Sequence, residues 1–150
     1  MKAFFLTMAI AMVPIIELRG AIPYGISQGL PYGEAFIAAL IGNIIPVPII
    51  ILGIRGIFAW MRTRFPKSGA FVDRIESRGH EKAGLVRQYK YLGLLLLVAI
   101  PLPGTGAWTG SLVAALLNLR VKYAGPVILL GVAIAGGLMV LISHGFVSLF

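Results

Sequence analysis

Apolar positions fall in four unequal runs along this chain, divided by short broken stretches and by one long polar centre. Residues 35–54 ("AFIAALIGNIIPVPIIILGI") and 124–143 ("AGPVILLGVAIAGGLMVLIS") are uncharged. Each matches the ~20 helical residues that cross a ~30 Å hydrocarbon core. The run before each has a different character. Residues 3–16 give only ~21 Å of helix at 1.5 Å per residue, too short to cross comfortably. Residues 92–118 are long enough, but Pro101, Pro103, Gly104 and Gly106 interrupt them in the middle. The pattern predicts helices throughout, two of full length and the others halved by Gly/Pro breaks.

The two halves follow one plan: a short apolar stretch, a break, a second short stretch, a polar turn and a full-length run. The breaks are "PIIELRGAIP" (14–23) and "IPLPGTGAW" (100–108). Placing Gly20-Ala21 on Gly106-Ala107 sets "LIG" at 40–42 against "LLG" at 129–131, with three residues inserted. Short, Gly/Pro-interrupted hydrophobic segments in corresponding places of two halves point to a transporter site. The expected fold is therefore an all-α integral membrane protein of two inverted repeats, each a re-entrant helical hairpin followed by a full transmembrane helix. Its expected parts are hairpins at 3–30 and 92–118, transmembrane helices at 35–60 and 124–148, and a basic loop at 61–91.

Composition and charge sharpen this picture. Of 150 residues, 59% are hydrophobic and 12% charged, against about a quarter charged in soluble domains. The net charge of +8 comes mostly from residues 61–91, which hold eight basic and three acidic residues. A short basic loop between spans marks the cytoplasmic side rather than a nucleic-acid surface. In a four-span arrangement Arg120 and Lys122 face outside, against the positive-inside trend; in the two-hairpin arrangement they join the basic loop, and both termini lie outside. The expected location is a prokaryotic plasma membrane, crossed more than once. The opening "MKAFFLTMAIA" has the parts of a signal peptide, but its apolar run continues to Ile16, so cleavage is not expected. Within the centre, Phe71, Val72 and Ile75 share a helical face, with Ser68 placed to cap that helix and Gly79 to end it. Such a helix is either interfacial on anionic lipid or an ordinary connector.

The chemistry concentrates at the breaks. A charge near the bilayer centre costs ~2.5–3.5 kcal/mol even on the lenient insertion scale, so Glu17 and Arg19 are expected to face protein or water and to mark a substrate path. The competing reading places residues 17–34 in a solvated outer loop. Prolines and glycines at a hairpin tip free backbone groups that lipid cannot satisfy, and the N–H groups at a half-helix start can hold an anion. Gly20, Gly104, Thr105 and Gly106 build two such starts, and Arg19 adds a fork suited to phosphate or carboxylate. Glu17 is either Arg19's counter-ion or a proton carrier. Thr105, Thr109 and Ser111 are placed to bond the broken backbone, and Trp108 to pack at the tip. Asn43 either pairs across helices or bonds within its own. Glycines at 25, 29 and 33, and at 106 and 110, have the spacing of close helix contact.

Several functions are excluded or disfavoured. "PLPGTGAWTGS" lacks the lysine of a Walker loop, and "HEKAG" lacks the second histidine of a metalloprotease. With no cysteine there is no disulfide or thiol chemistry. No nucleophile–base pair, paired carboxylates or metal cluster stands at useful spacing, so neither an enzyme nor a cofactor or metal site is expected.

Together, "PIIELRGAIPYGISQGLPYGEA" and "PLPGTGAWTGSLVAALL" resemble the small multidrug export proteins, a family that looks like a compact relative of the DedA (VTT-domain) membrane proteins. The resemblance implies two opposed re-entrant hairpins in which acidic and arginine residues matter. It also implies a role in moving lipid carriers such as undecaprenyl phosphate, with proton-motive-force and drug-sensitivity phenotypes. By match, Glu17 and Arg19 answer the charged motif of the first hairpin, and Arg120 is the candidate for an arginine after the second. "PLPGTG" departs from that pattern by carrying no charge. The resulting expectation is a small secondary transporter or lipid translocase acting on an anionic polyprenyl-phosphate-type or phospholipid headgroup, driven by the proton or sodium gradient. Its alternatives are a proton-coupled small multidrug exporter and a non-transporting scaffold on anionic lipid. Two full spans can hardly enclose two hairpins, so a homodimer or other homo-oligomer among membrane lipids is expected.

Overall fold

The computed structural model describes residues 1–149. Among them every regular element is helical: α1 (Lys2–Ala11), α2 (Glu17–Ser27), α3 (Tyr32–Ile44), α4 (Pro46–Arg64), a 3₁₀ turn at Pro66–Ser68, α5 (Gly69–Lys82), α6 (Gly84–Tyr89), α7 (Tyr91–Ala99), α8 (Ala107–Leu116) and α9 (Val121–Leu149). Two helical stretches, Tyr32–Arg64 and Val121–Leu149, are long and apolar enough to cross a membrane. The first joins α3 to α4 through Ile45, whose backbone stays helical. Pro46 and Pro48 lie at this joint and Pro126 lies inside α9. Each lacks an N–H, which leaves the carbonyls of Gly42, Ile44 and Lys122 without their usual helical donor. Both long helices run past the expected 35–60 and 124–148, because helix formation continues into polar flanks where hydropathy stops.

α1, α2, α7 and α8 have 9 to 11 residues each. Each is therefore ~14–16 Å long, about half the thickness of a hydrocarbon core. α1 and α2 pack on one another and on α3, while α7 lies along α9 and α8 bridges α4, α5 and α9. The core lies where these short helices meet the long ones, with Leu18 and Ile22 of α2, Leu94 and Val98 of α7, and Ile128 and Val132 of α9 fully buried. Two glycines set the closest approaches. A Cβ at Gly42 would run into the Met8 carbonyl of α1, and one at Gly131 would meet Val98 of α7 at 2.8 Å and the Leu95 carbonyl at 3.3 Å.

Several local expectations change here. Ser68 does not cap α5. Its hydroxyl donates instead to the carbonyls of Phe65 and Met61, 2.7 and 3.0 Å away, and closes the end of α4. Gly79 does not end α5 either, because it is the spot where α5 seats on Leu112 and Leu116 of α8. Val72 is buried on that face while Phe71 is exposed. Asn43 is fully buried with neither side-chain polar atom bonded, so neither of its expected partners is present. Of the glycines at 25, 29 and 33, only Gly25 makes a close helix contact, against Thr7; Gly29 has φ +84 and turns the chain, and Gly33 faces open space. His80 Nδ1 accepts from Arg87 Nη2 at 3.0 Å, and His144 stacks edge-on to Tyr32.

Candidate functional site

The two breaks meet. After α1 the chain cannot continue as helix through Pro14, and it turns back through Ile15 at φ 82 and Glu17 at φ 48. Both values are left-handed, and such strain in non-glycine residues costs on the order of 1–3 kcal/mol each. It starts α2 at Glu17, whose N–H donates to the Val13 carbonyl at 3.0 Å. In the other half Pro101 and Pro103 block helix formation, and Gly104 (φ 76) and Gly106 (φ 127) carry the turn into α8.

Glu17 crosses to the second break. Its carboxylate, 3% exposed, accepts from the Trp108 backbone N–H at 2.9 Å. This N–H belongs to the first turn of α8, where the helix dipole is positive and the donors have no helical acceptor. Glu17 is itself the first residue of α2, so the start of one half-helix supplies the carboxylate that the start of the other holds. Gly106 lies beneath it, and a Cβ there would occupy the space of Glu17 Oε2. The Trp108 indole N–H donates to the Met12 carbonyl at 3.1 Å, which ties the end of α1 to the same point.

Arg19 goes to the second break as well, by a separate route. Its Nη2 donates to Thr105 Oγ1 at 2.6 Å and reaches the Ile100 carbonyl at 3.5 Å. The Thr105 hydroxyl donates in turn to the carbonyl of Leu102 or Ile100, 2.7 and 2.8 Å away. Residues at i and i+2 of a helix do not face each other, and Glu17 and Arg19 form no ion pair within the described residues. Each side chain binds the opposite break, and the two charges act on each other through space rather than by contact. Two atoms stay without a partner, Glu17 Oε2 and Arg19 Nε, and both are buried.

Of the residues expected at the site, Glu17, Arg19, Thr105 and Gly106 come together. Gly104 sits at its rim, its carbonyl accepting from Thr109 Oγ1 at 3.1 Å. Ser111 bonds back to the Ala107 carbonyl at 2.6 Å, within α8. Gly20 is one turn up α2, where a Cβ would meet Ile16 Cγ2 at 2.5 Å, and it touches no polar group of the site. Arg120 is not brought there, because it follows the opposite end of α8, beside Arg55 and Asn118. The partners that sequence reading missed are backbone groups, namely the Trp108 N–H and the carbonyls of Met12 and Ile100. Among the described residues no group of three His, Asp or Glu side chains is close enough to hold a metal ion.

An all-helical chain with two membrane-length helices and charged groups at the junction of broken half-helices has the make-up of a membrane transport protein. Residues 17–138 match the family described as "Putative small multi-drug export protein", and with most of its length covered the chain belongs to that family. No match is found among curated proteins or solved structures.

Proposed function

We propose that this protein is a small secondary transporter that carries an anionic headgroup, of the polyprenyl-phosphate or phospholipid type, across the plasma membrane. In this reading residues 3–30 and 92–118 are re-entrant hairpins entering from opposite faces, 35–60 and 124–148 lie within the spans, and 61–91 is cytoplasmic. The four half-thickness helices support it, and so does the repeated contact of Gly42 with α1 and Gly131 with α7. The relation to DedA proteins rests on the same opposed plan. A homodimer would cover the faces of the hairpins that the two spans leave bare.

One observation carries the choice of an anion: the N-terminus of α8 already holds a buried carboxylate, and a guanidinium is bound to the same break. At rest Glu17 itself fills the α8 N-terminus. An incoming phosphate and the Glu17 carboxylate compete for the same N–H donors, and one buried negative charge excludes the other. When Glu17 takes up a proton, its charge is withdrawn and the site favours the substrate anion, with Arg19 aligned to hold it. Anion binding therefore strengthens as Glu17 gains its proton, which couples transport to the proton gradient.

Reconstitution in proteoliposomes tests this. Arg19→Ala should abolish headgroup-dependent transport. Glu17→Gln, which mimics the protonated side chain, should still bind the anion but without pH dependence. Unchanged transport by Arg19→Ala refutes the site. A second reading, a proton-coupled exporter of lipophilic cations, is favoured by the unpartnered Glu17 Oε2. It requires Glu17-dependent resistance to such cations and indifference to anionic headgroups.

A further inference from the structure

Two grooves adjoin along the seam that α4 makes with the start of α9 and with the end of α8 before it. The first, about 470 Å³, has an apolar wall that includes Ile44, Ile45, Pro48, Gly125 and Leu129. The second, about 310 Å³, holds Arg55, Asn118 and Arg120. Val121 lines both, so the oily groove and the basic groove adjoin. From Ile44 to Arg55 the two grooves together follow eleven residues of helix, ~16 Å at 1.5 Å each, about one leaflet of a ~30 Å core.

The basic groove has no compensating charge. None of the five carboxylates lines either groove. Glu17 is committed to Trp108, Asp73 and Glu76 are held by Arg62 at 2.6 and 2.8 Å, Glu34 lies in the first turn of α3, and Glu81 lies in α5. Arg55 meets only the neutral Asn118 side chain, and the Arg120 guanidinium has no partner among the described residues. Lys122, on the wall of the first groove, meets only the Tyr123 ring, at 5.9 Å. Tyr123 in turn contacts Tyr91, their centroids 5.9 Å apart. Paired tyrosines at the starts of α7 and α9 fit the headgroup level of a bilayer, where amphipathic rings gather.

We propose that this seam binds one anionic phospholipid, its phosphate held by Arg55, Arg120 and Lys122 and one acyl chain lying in the apolar groove. The site is separate from Glu17 and Arg19 and stands whether or not they carry substrate. An anion without a tail would leave the oily groove unused, and a neutral lipid would leave three cations unmatched.

Native mass spectrometry of the detergent-released protein, given equal phosphatidylglycerol and phosphatidylcholine, tests this. One phosphatidylglycerol per chain should be retained, at roughly a hundredfold preference from three cations. Each basic residue near the surface contributes on the order of a fivefold change, so Arg120→Gln and Lys122→Gln should each remove about that factor, while Arg120→Lys keeps the preference. Gly125→Leu should reduce retention of both lipids without changing the unfolding temperature, because a Cβ at Gly125 meets nothing within 4 Å. The proposal is overturned if the Arg120→Gln/Lys122→Gln double variant keeps the preference or if millimolar inorganic phosphate displaces the lipid. It is equally overturned if a cysteine at 125 links two copies in the membrane, which would make the seam a protein interface.

Discussion

Gly106 is held by two independent constraints, and they give its substitution a predictable size. Its φ of 127 is closed to L side chains, and a Cβ would displace Glu17 Oε2. Gly104 shares only the first constraint: φ is 76, and the nearest atom to its Cβ is Lys82 Cε at 4.0 Å. Left-handed strain alone costs ~1–2 kcal/mol, while losing a hydrogen bond to a charged group adds ~1.5–3 kcal/mol. Gly106→Ala should therefore destabilise the protein by roughly 3 kcal/mol or more and Gly104→Ala by about half that, read as denaturation midpoints in micelles. Equal effects would mean that Glu17 does not depend on Gly106 for its position. The sequence exposes this residue pair unevenly. Glu17 and Arg19 stand out because charge is rare in apolar surroundings, and the glycines because they follow prolines. That Glu17 binds the Trp108 N–H could not be read, since a backbone donor 91 positions away has no side-chain signature.

At the level of helices, close packing is the variable that sequence pattern indicates least. The breaks at Pro14 and at Pro101–Pro103 were legible because charged residues or glycines follow the prolines closely, whereas α9 absorbs the lone Pro126. The ends of α5 were not: Ser68 has the right identity for a cap, but its hydroxyl is used by the end of α4, and Gly79 is a packing position rather than a stop. Gly42 is the sharper case, for it looks like any small residue in an apolar run. The Met8 carbonyl fills the place of its side chain, and backbone yields less readily than a side chain tip. Gly137, in α9, meets nothing within 4 Å. Gly42→Ala should thus cost ~1–3 kcal/mol through overpacking, while Gly137→Ala should be neutral or stabilising by up to ~1 kcal/mol, the helix propensity gained. Thermal unfolding of the two variants in one detergent compares them directly. If both are neutral, α1 and α3 do not approach as closely as the structure has them.

For the whole molecule, the distribution of charge decides which way the helices face the membrane. Residues 61–91 and the α8–α9 connection both carry excess positive charge, and Arg55 of α4 bonds to Asn118 in that connection. Positive flanks stay on the cytoplasmic side, so the connection after α8 should lie on the same face as the basic loop. That requires α7 and α8 to enter and leave by one face, which their half-thickness lengths permit. The turn after α2 should then lie on the opposite face, one span away through α3 and α4. Because the sequence contains no cysteine, single cysteines at positions 30, 70 and 120 report on sidedness without background. A membrane-impermeant thiol reagent applied from outside should modify 30 and spare 70 and 120 until the membrane is opened. Labelling of 120 together with 30 would turn α7 and α8 into a spanning pair. It would also separate the lipid seam's arginines from the cytoplasmic leaflet, whose anionic lipids make that seam worth occupying.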